Sequence, residues 1–96
     1  MQIINYDHMT DLSQIFSALG EETRLMISIY LLKNPSNVSD ISISLNISQP
    51  KVSHHLRILK DSKVVKCDKV GKNAIYKIND EHIEKIIELG MIHTGC

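Results

Sequence analysis

Residues 48–66 read SQPKVSHHLRILKDSKVVK, and the folding of that stretch decides the architecture. Ser48 supplies an N-cap oxygen, Pro50 is tolerated in a first helical turn, and Val52, Leu56 and Leu59 recur at i, i+4 and i+7. This spacing predicts a helix with one buried side. The other sides carry Gln49, Lys51, Ser53, His54, Arg57 and Asp61, a mixture of amide, hydroxyl, imidazole and guanidinium rather than the Glu/Lys pairs of an ordinary surface helix.

Downstream, KVVKCDKVGKNAIYKI (63–78) switches the apolar period to two, with Val65 and Cys67, then Ala74, Tyr76 and Ile78, around a VGKN turn. A β-hairpin is predicted. Upstream, NVSDISISLNIS (37–48) fits a strand through Ile41, Ile43, Leu45 and Ile47 and a helix through Val38, Ile41 and Leu45. The helix is the better reading, because Asn46 supplies a left-handed C-cap and leaves a turn of about three residues before Ser48.

Further upstream, DLSQIFSAL (11–19) predicts a short helix with Asp11 as N-cap and Gly20 as its stop. EETRLMISIYLLK (21–33) predicts a core helix with Leu25, Ile29 and Leu32 on its inner face and Lys33 in its last turn. At the other end, Asn79 is placed to cap a final helix over residues 80 to about 94. The order of elements is that of a winged helix-turn-helix, mainly α with a two-stranded wing. Residues 1–10 are then a tail and 11–96 one domain.

The net charge is zero, yet the charges are segregated. Residues 48–77 hold eight bases and two acids, a balance of +6, and the rest of the chain carries −6. A solvated face explains such a run equally well when charge is taken alone. The coincidence of the basic run with the reading helix and the wing favours a polyanion footprint.

At 96 residues a single core is small, and a second copy of the chain would bury a further face. No run approaches the ~20 apolar residues of a membrane span, and no leader pattern opens the chain. Cys67 and Cys96 do not form a disulfide framework. A cytoplasmic protein without membrane contact is expected. Neither a Gly-rich phosphate loop nor a nucleophile–base constellation is present, which argues against an enzyme acting on a small organic substrate.

The terminal segment NDEHIEKIIELGMIHTGC (79–96) has its own pattern. Stepping ~100° per residue, His82, Ile86, Leu89, His93 and Cys96 share one face, while Ile83, Ile87 and Gly90 form a flank for packing on the domain. His82 and His93 are separated by roughly 16 Å along a helix, far more than the ~2.0–2.3 Å bonds of one zinc ion allow. An antiparallel pair of such helices would bring Asp80 and His82 of one copy to His93 and Cys96 of the other, twice over. That O, N, N, S set suits Zn(II) and also Co(II) or Cd(II). Each residue singly has a plainer role, Asp80 at a helix start, His93 on the surface, Cys96 frayed; their shared face favours ligation.

Nearly the whole chain, from about Asp11, resembles the ArsR/SmtB family of bacterial metal-responsive repressors. The resemblance is carried by ALGEETRLMI (18–27), by residues 48–66, and by the Asp-x-His-x10-His-x2 spacing of Asp80, His82 and His93 that marks the family's C-terminal-helix zinc sensors. Cys96 departs from the carboxylate or imidazole usual at the fourth position. Resemblance implies a homodimer through terminal helices whose metal-free form binds two-fold operator DNA and is released by metal, derepressing a transport or efflux gene. It also places Gln49, Ser53 and His54 towards the groove. Lys51 and Arg57 are added for base or phosphate contact, and Lys69 and Lys72 on the wing for phosphates. A redox or sulfur-species sensor using Cys67 and Cys96 is the alternative.

Overall fold

The computed structural model of the protein describes residues 5–95. Five helices and one hairpin follow in the order α1 (Met9–Leu19), α2 (Glu22–Leu31), α3 (Val38–Leu45), α4 (Gln49–Asp61), β1 (Val65–Val70), β2 (Asn73–Ile78) and α5 (Glu81–His93). This is the winged helix-turn-helix expected from the sequence.

The turn motif forms as its residues dictate. Asn37 caps α3, its side chain accepting the Asp40 N–H at 2.8 Å. At the other end Asn46 takes the left-handed conformation, φ 55°, and the chain re-enters a helix three residues later. Ser48 caps α4, accepting from Lys51 N–H, and Pro50 sits in the first turn where no N–H is needed. Val52, Leu56 and Leu59 are fully buried, and with Ile27, Leu31 and Ile41 they make the centre of the core. Burying each leucine contributes about 1.5–3 kcal/mol.

The hairpin is antiparallel, with Val65 opposite Ile78 and Val70 opposite Asn73. A third segment joins it, since Ser36 exchanges two backbone hydrogen bonds with Tyr76. Between α4 and β1, Lys63 takes φ 62°, and the next residue's carbonyl accepts the Asn79 N–H at 2.9 Å. The start of α5 is therefore tied to the corner where the reading helix becomes the wing.

Four local expectations are corrected. The first helix starts at Met9 rather than at Asp11; His8 flanks it without a side-chain cap, and Asp11 lies inside the first turn, where its charge complements the helix dipole. Helix α2 stops at Leu31, so Lys33 lies beyond it. Its innermost residues are Ile27, Ser28 and Leu31, not Leu25, Ile29 and Leu32. The cap of α5 is Asp80, whose carboxylate accepts from His82 N–H and Ile83 N–H, while Asn79 donates its side-chain amide to Asp80 and its backbone N–H to the Val64 carbonyl. No helix among the described residues is long and apolar enough to cross a membrane.

Leu25 and Ile29 face instead an apolar groove of about 430 Å³ between α1, α2 and α5, which Phe16, Leu19, Ile86 and Met91 also line. Phe16 is 55% exposed and Leu89 65%. Met9 and Leu12 on α1 and Ile92 on α5 are also exposed apolar residues.

Candidate DNA-reading and metal-ligating surfaces

Two surfaces emerge from these elements. The first is built by α4 and the hairpin. With Val52, Leu56 and Leu59 turned into the core, Gln49, Ser53, His54 and Arg57 are all exposed and fall within a sweep of about 140°. Lys51 is exposed too, about 60° beyond His54 on the flank next to His55. A helix held by one apolar stripe and presenting amide, hydroxyl, imidazole and guanidinium groups has the chemistry to read base edges in a major groove.

On the wing, Lys69 and Lys72 are exposed near the turn. Lys77 differs, because its Nζ lies 2.7 Å from Asp68 Oδ2 across the hairpin. That hydrogen bond, with the charge behind it, holds the Asp68 carboxyl below its ordinary value. Of the +6 counted in the sequence, this pair is internally compensated, and the free positive charge lies on α4, the Lys63 corner and the tip of the wing.

The second surface is the outer face of α5. Asp80 Oδ1 lies 3.6 Å from His82 Nδ1. Two ligands at ~2.0–2.2 Å from one tetrahedral ion stand about 3.4 Å apart, so this spacing fits a shared ion. A carboxylate offers about four lone-pair directions, and three of Asp80's accept hydrogen bonds, from Asn79 Nδ2, His82 N–H and Ile83 N–H. Both backbone amides take Oδ1, the oxygen nearest His82 Nδ1, so the direction left for a metal is on Oδ2. The Asn79 bond, followed by the Ile83 and His82 amides, keeps the Asp80 carboxyl below its ordinary value and hence ionised, the form that ligates. His82 is 82% exposed and Asp80 42% by side chain.

His93, also exposed, is the last residue of α5. Its helical offset from His82 stays at about 16 Å, and no three metal-ligating side chains meet among the described residues. Asp80 and His82 stand at the start of α5 and His93 at its end, so no one end of the helix gathers the expected ligands. Cys96, the fourth expected ligand, lies outside the described residues. Ile83 and Ile87 are buried against the domain, as the two-flank reading of α5 requires; Ile86 is half-buried at the groove with α1 and α2, and Leu89 is exposed between His82 and His93.

Cys67 is half-buried on β1, opposite Tyr76, and free; its partner in the redox reading, Cys96, lies beyond the described residues. A third cluster involves His55, which the sequence suggests as a helix-packing residue without identifying its partners. His55 on α4 meets Glu21 and Arg24 at the start of α2. A His placed on the buried side of an otherwise apolar stripe is the signal that could have found it.

Residues 21–66 match the model of the arsR family of bacterial regulatory proteins, the segment from the α2 cap to the entry of the wing. The chain is 34% identical over 84 residues to the cadmium resistance transcriptional regulatory protein CadC homolog of Staphylococcus aureus, covering 86% of this chain and 69% of the relative. It is 32% identical to the transcriptional repressor SmtB homolog of Synechocystis, covering 85% of this chain and 62% of that one. Among solved structures, the homodimeric winged helix-turn-helix DNA-binding domain Mb0332 from Mycobacterium bovis superposes with a TM-score of 0.86, over 98% of this chain and 90% of that one, at 20% identity. At that identity the likeness concerns the fold.

Proposed function

Since the chain belongs to the ArsR family of bacterial regulatory proteins, transcriptional regulators and not enzymes, we propose that it is a metal-responsive repressor working as a cytoplasmic homodimer. Its metal-free form binds operator DNA, and a Zn(II)-type ion lowers that affinity and derepresses a transport or efflux gene. Co(II) or Cd(II) are the alternative ions, and the names of the cadmium-resistance and SmtB relatives support a metal effector. The observation that carries the reading is the half-site: Asp80 and His82 stand 3.6 Å apart at the start of α5, and His93 stands at the other end of the same exposed face.

The ligand set is Asp80 and His82 from one copy with His93 and Cys96 from the other. Two antiparallel copies of α5 would complete two such sites and cover Ile86 and Leu89 between them. Gln49, Lys51, Ser53, His54 and Arg57 read the operator, and Lys69 and Lys72 hold its phosphates. When bound, the ion supplies a link between subunits at Asp80. Asp80 is next to Asn79, and Asn79 is hydrogen-bonded to the corner between reading helix and wing, which gives a contiguous route from the α5 start to the DNA surface.

Magnitudes set the number of ions. One effector typically contributes ~1–3 kcal/mol of coupling, whereas moving an operator from 1:99 to 99:1 occupancy takes about 5.5 kcal/mol. Two sites per dimer are the minimum for a firm switch. Gel retardation of an operator duplex should be complete with metal-free protein and reversed by stoichiometric Zn(II). Retardation that ignores Zn(II) would remove the metal reading and leave a DNA-binding winged domain.

A further inference from the structure

His55 lies on α4 between the buried stripe and the exposed face, with its side chain 15% exposed. Its Nδ1 is 3.4 Å from Arg24 Nη1 on α2 and 3.9 Å from Glu21 Oε2, in the segment just before α2. Both neighbours are already committed. Glu21 Oε2 accepts the Arg24 backbone N–H at 2.8 Å as the cap of α2, and Arg24 Nε donates to the Ala18 carbonyl of α1 at 2.8 Å. On the other side the His55 ring meets the His54 ring edge-on, with centroids 5.5 Å apart. His54 belongs to the surface that faces DNA.

A guanidinium has donors only, so the contact with Arg24 requires His55 Nδ1 to be unprotonated, with the ring hydrogen on Nε2. A proton on Nδ1 sets donor against donor. The nearest acceptor is then the Glu21 carboxylate, which is holding the first turn of α2. The charged and titratable groups around the ring are Glu21 before α2, Arg24 on α2, and His54 and Lys51 on α4. Burial first, then the positive neighbours, favours the neutral ring, and Glu21 opposes them. His55 therefore titrates below the ordinary histidine value of about 6.5.

We propose that His55 is a positioning residue for the reading helix: neutral, it fastens α4 to the start of α2 through Arg24, and protonated, it releases that contact, so that DNA binding weakens in acid without any metal. The proposal rests on the DNA-binding reading above and concerns a group remote in sequence from the metal ligands.

The test compares metal-free wild type with His55→Gln, whose amide oxygen accepts from Arg24 at every pH. The probe is a duplex recovered by the wild type from a randomised pool at pH 7.5. The other histidines are common to both proteins, so the ratio of their Kd values reports His55 together with its contact to His54. That ratio should rise several-fold in disfavour of wild type between pH 7.5 and 5.5, because a one-unit difference in His55 pKa between free and bound states reaches its full tenfold only below both values. A constant ratio overturns the proposal alone; failure of the wild type to retain any duplex at either pH overturns the DNA reading as well. Should His55→Gln fail to fold, NMR titration of the wild type decides. The Arg24 backbone amide, which donates to Glu21, should move with the midpoint of the His55 ring, and an Arg24 amide that stays still through that midpoint refutes the linkage.

Discussion

Asp80 carries two duties on one carboxylate. It caps α5 through two backbone amides, and in the proposed site it pairs with the neighbouring His82 as a ligand. The two duties separate by substitution, because asparagine caps a helix as well as aspartate does but lacks the charge a divalent ion needs. Asp80→Ala should cost about 1 kcal/mol of stability, and Asp80→Asn much less, when unfolding is followed in urea without metal. Both should weaken Zn(II) binding. Equal stability loss in the two variants would show that the cap contributes charge alone. The pH dependence has a definite sign: the Asp80 carboxyl is held below its ordinary value, so its stabilisation is full above that value and disappears as pH falls through the lower, folded one. At this scale the sequence pointed to Asn79 as the cap, and the structure gives that role to Asp80. Asn79 and Asp80 are both good cap residues, and in the fold the Asn79 amide turns to the Asp80 carboxylate while Asp80 takes the helix amides.

Among the elements, α4 could be read in full because every signal in it is local: Ser48, Pro50 and a three-residue apolar stripe agree. Helix α3 was decided the same way by the left-handed Asn46. The inner face of α2 was not legible, since ETRLMISIYL is apolar on several sides and periodicity cannot choose among them. Packing against α1 and α4 makes the choice, burying Ile27 and Leu31 and leaving Leu25 and Ile29 to the groove shared with α5. The wing shows what sequence could not resolve about charge. Lys77 is paired with Asp68, while Lys69 and Lys72 are exposed near the tip. Replacing Lys69 or Lys72 by alanine should lower the slope of log K against log salt by about 1 for each phosphate that is no longer neutralised. Lys77→Ala should leave the slope nearly unchanged, and a decrease equal to that of Lys72→Ala would contradict the pairing.

The whole molecule is longer and flatter than a compact chain of its size. Its radius of gyration is 14.3 Å, against about 12.5 Å expected for 96 residues, with extents of 51 × 31 × 20 Å. The apolar sides of α1 and α5 are open in this shape, which supports a dimer through the terminal helices. The fold was legible from periodicity and caps. The proposed metal site is not contained in one chain, because Asp80 and His82 stand at one end of α5 and His93 at the other, and it calls for a second copy to bring them together. The most direct measurement is therefore complementation between His82→Ala and His93→Ala. Neither variant alone should bind Co(II) tightly, because each of its paired sites lacks one imidazole. Mixed in equal amounts and allowed to exchange subunits, they should regain tight binding to about a quarter of the wild-type capacity, since half the dimers are mixed and each restores one of its two sites. No gain on mixing, with subunit exchange verified, would contradict the head-to-tail arrangement of α5.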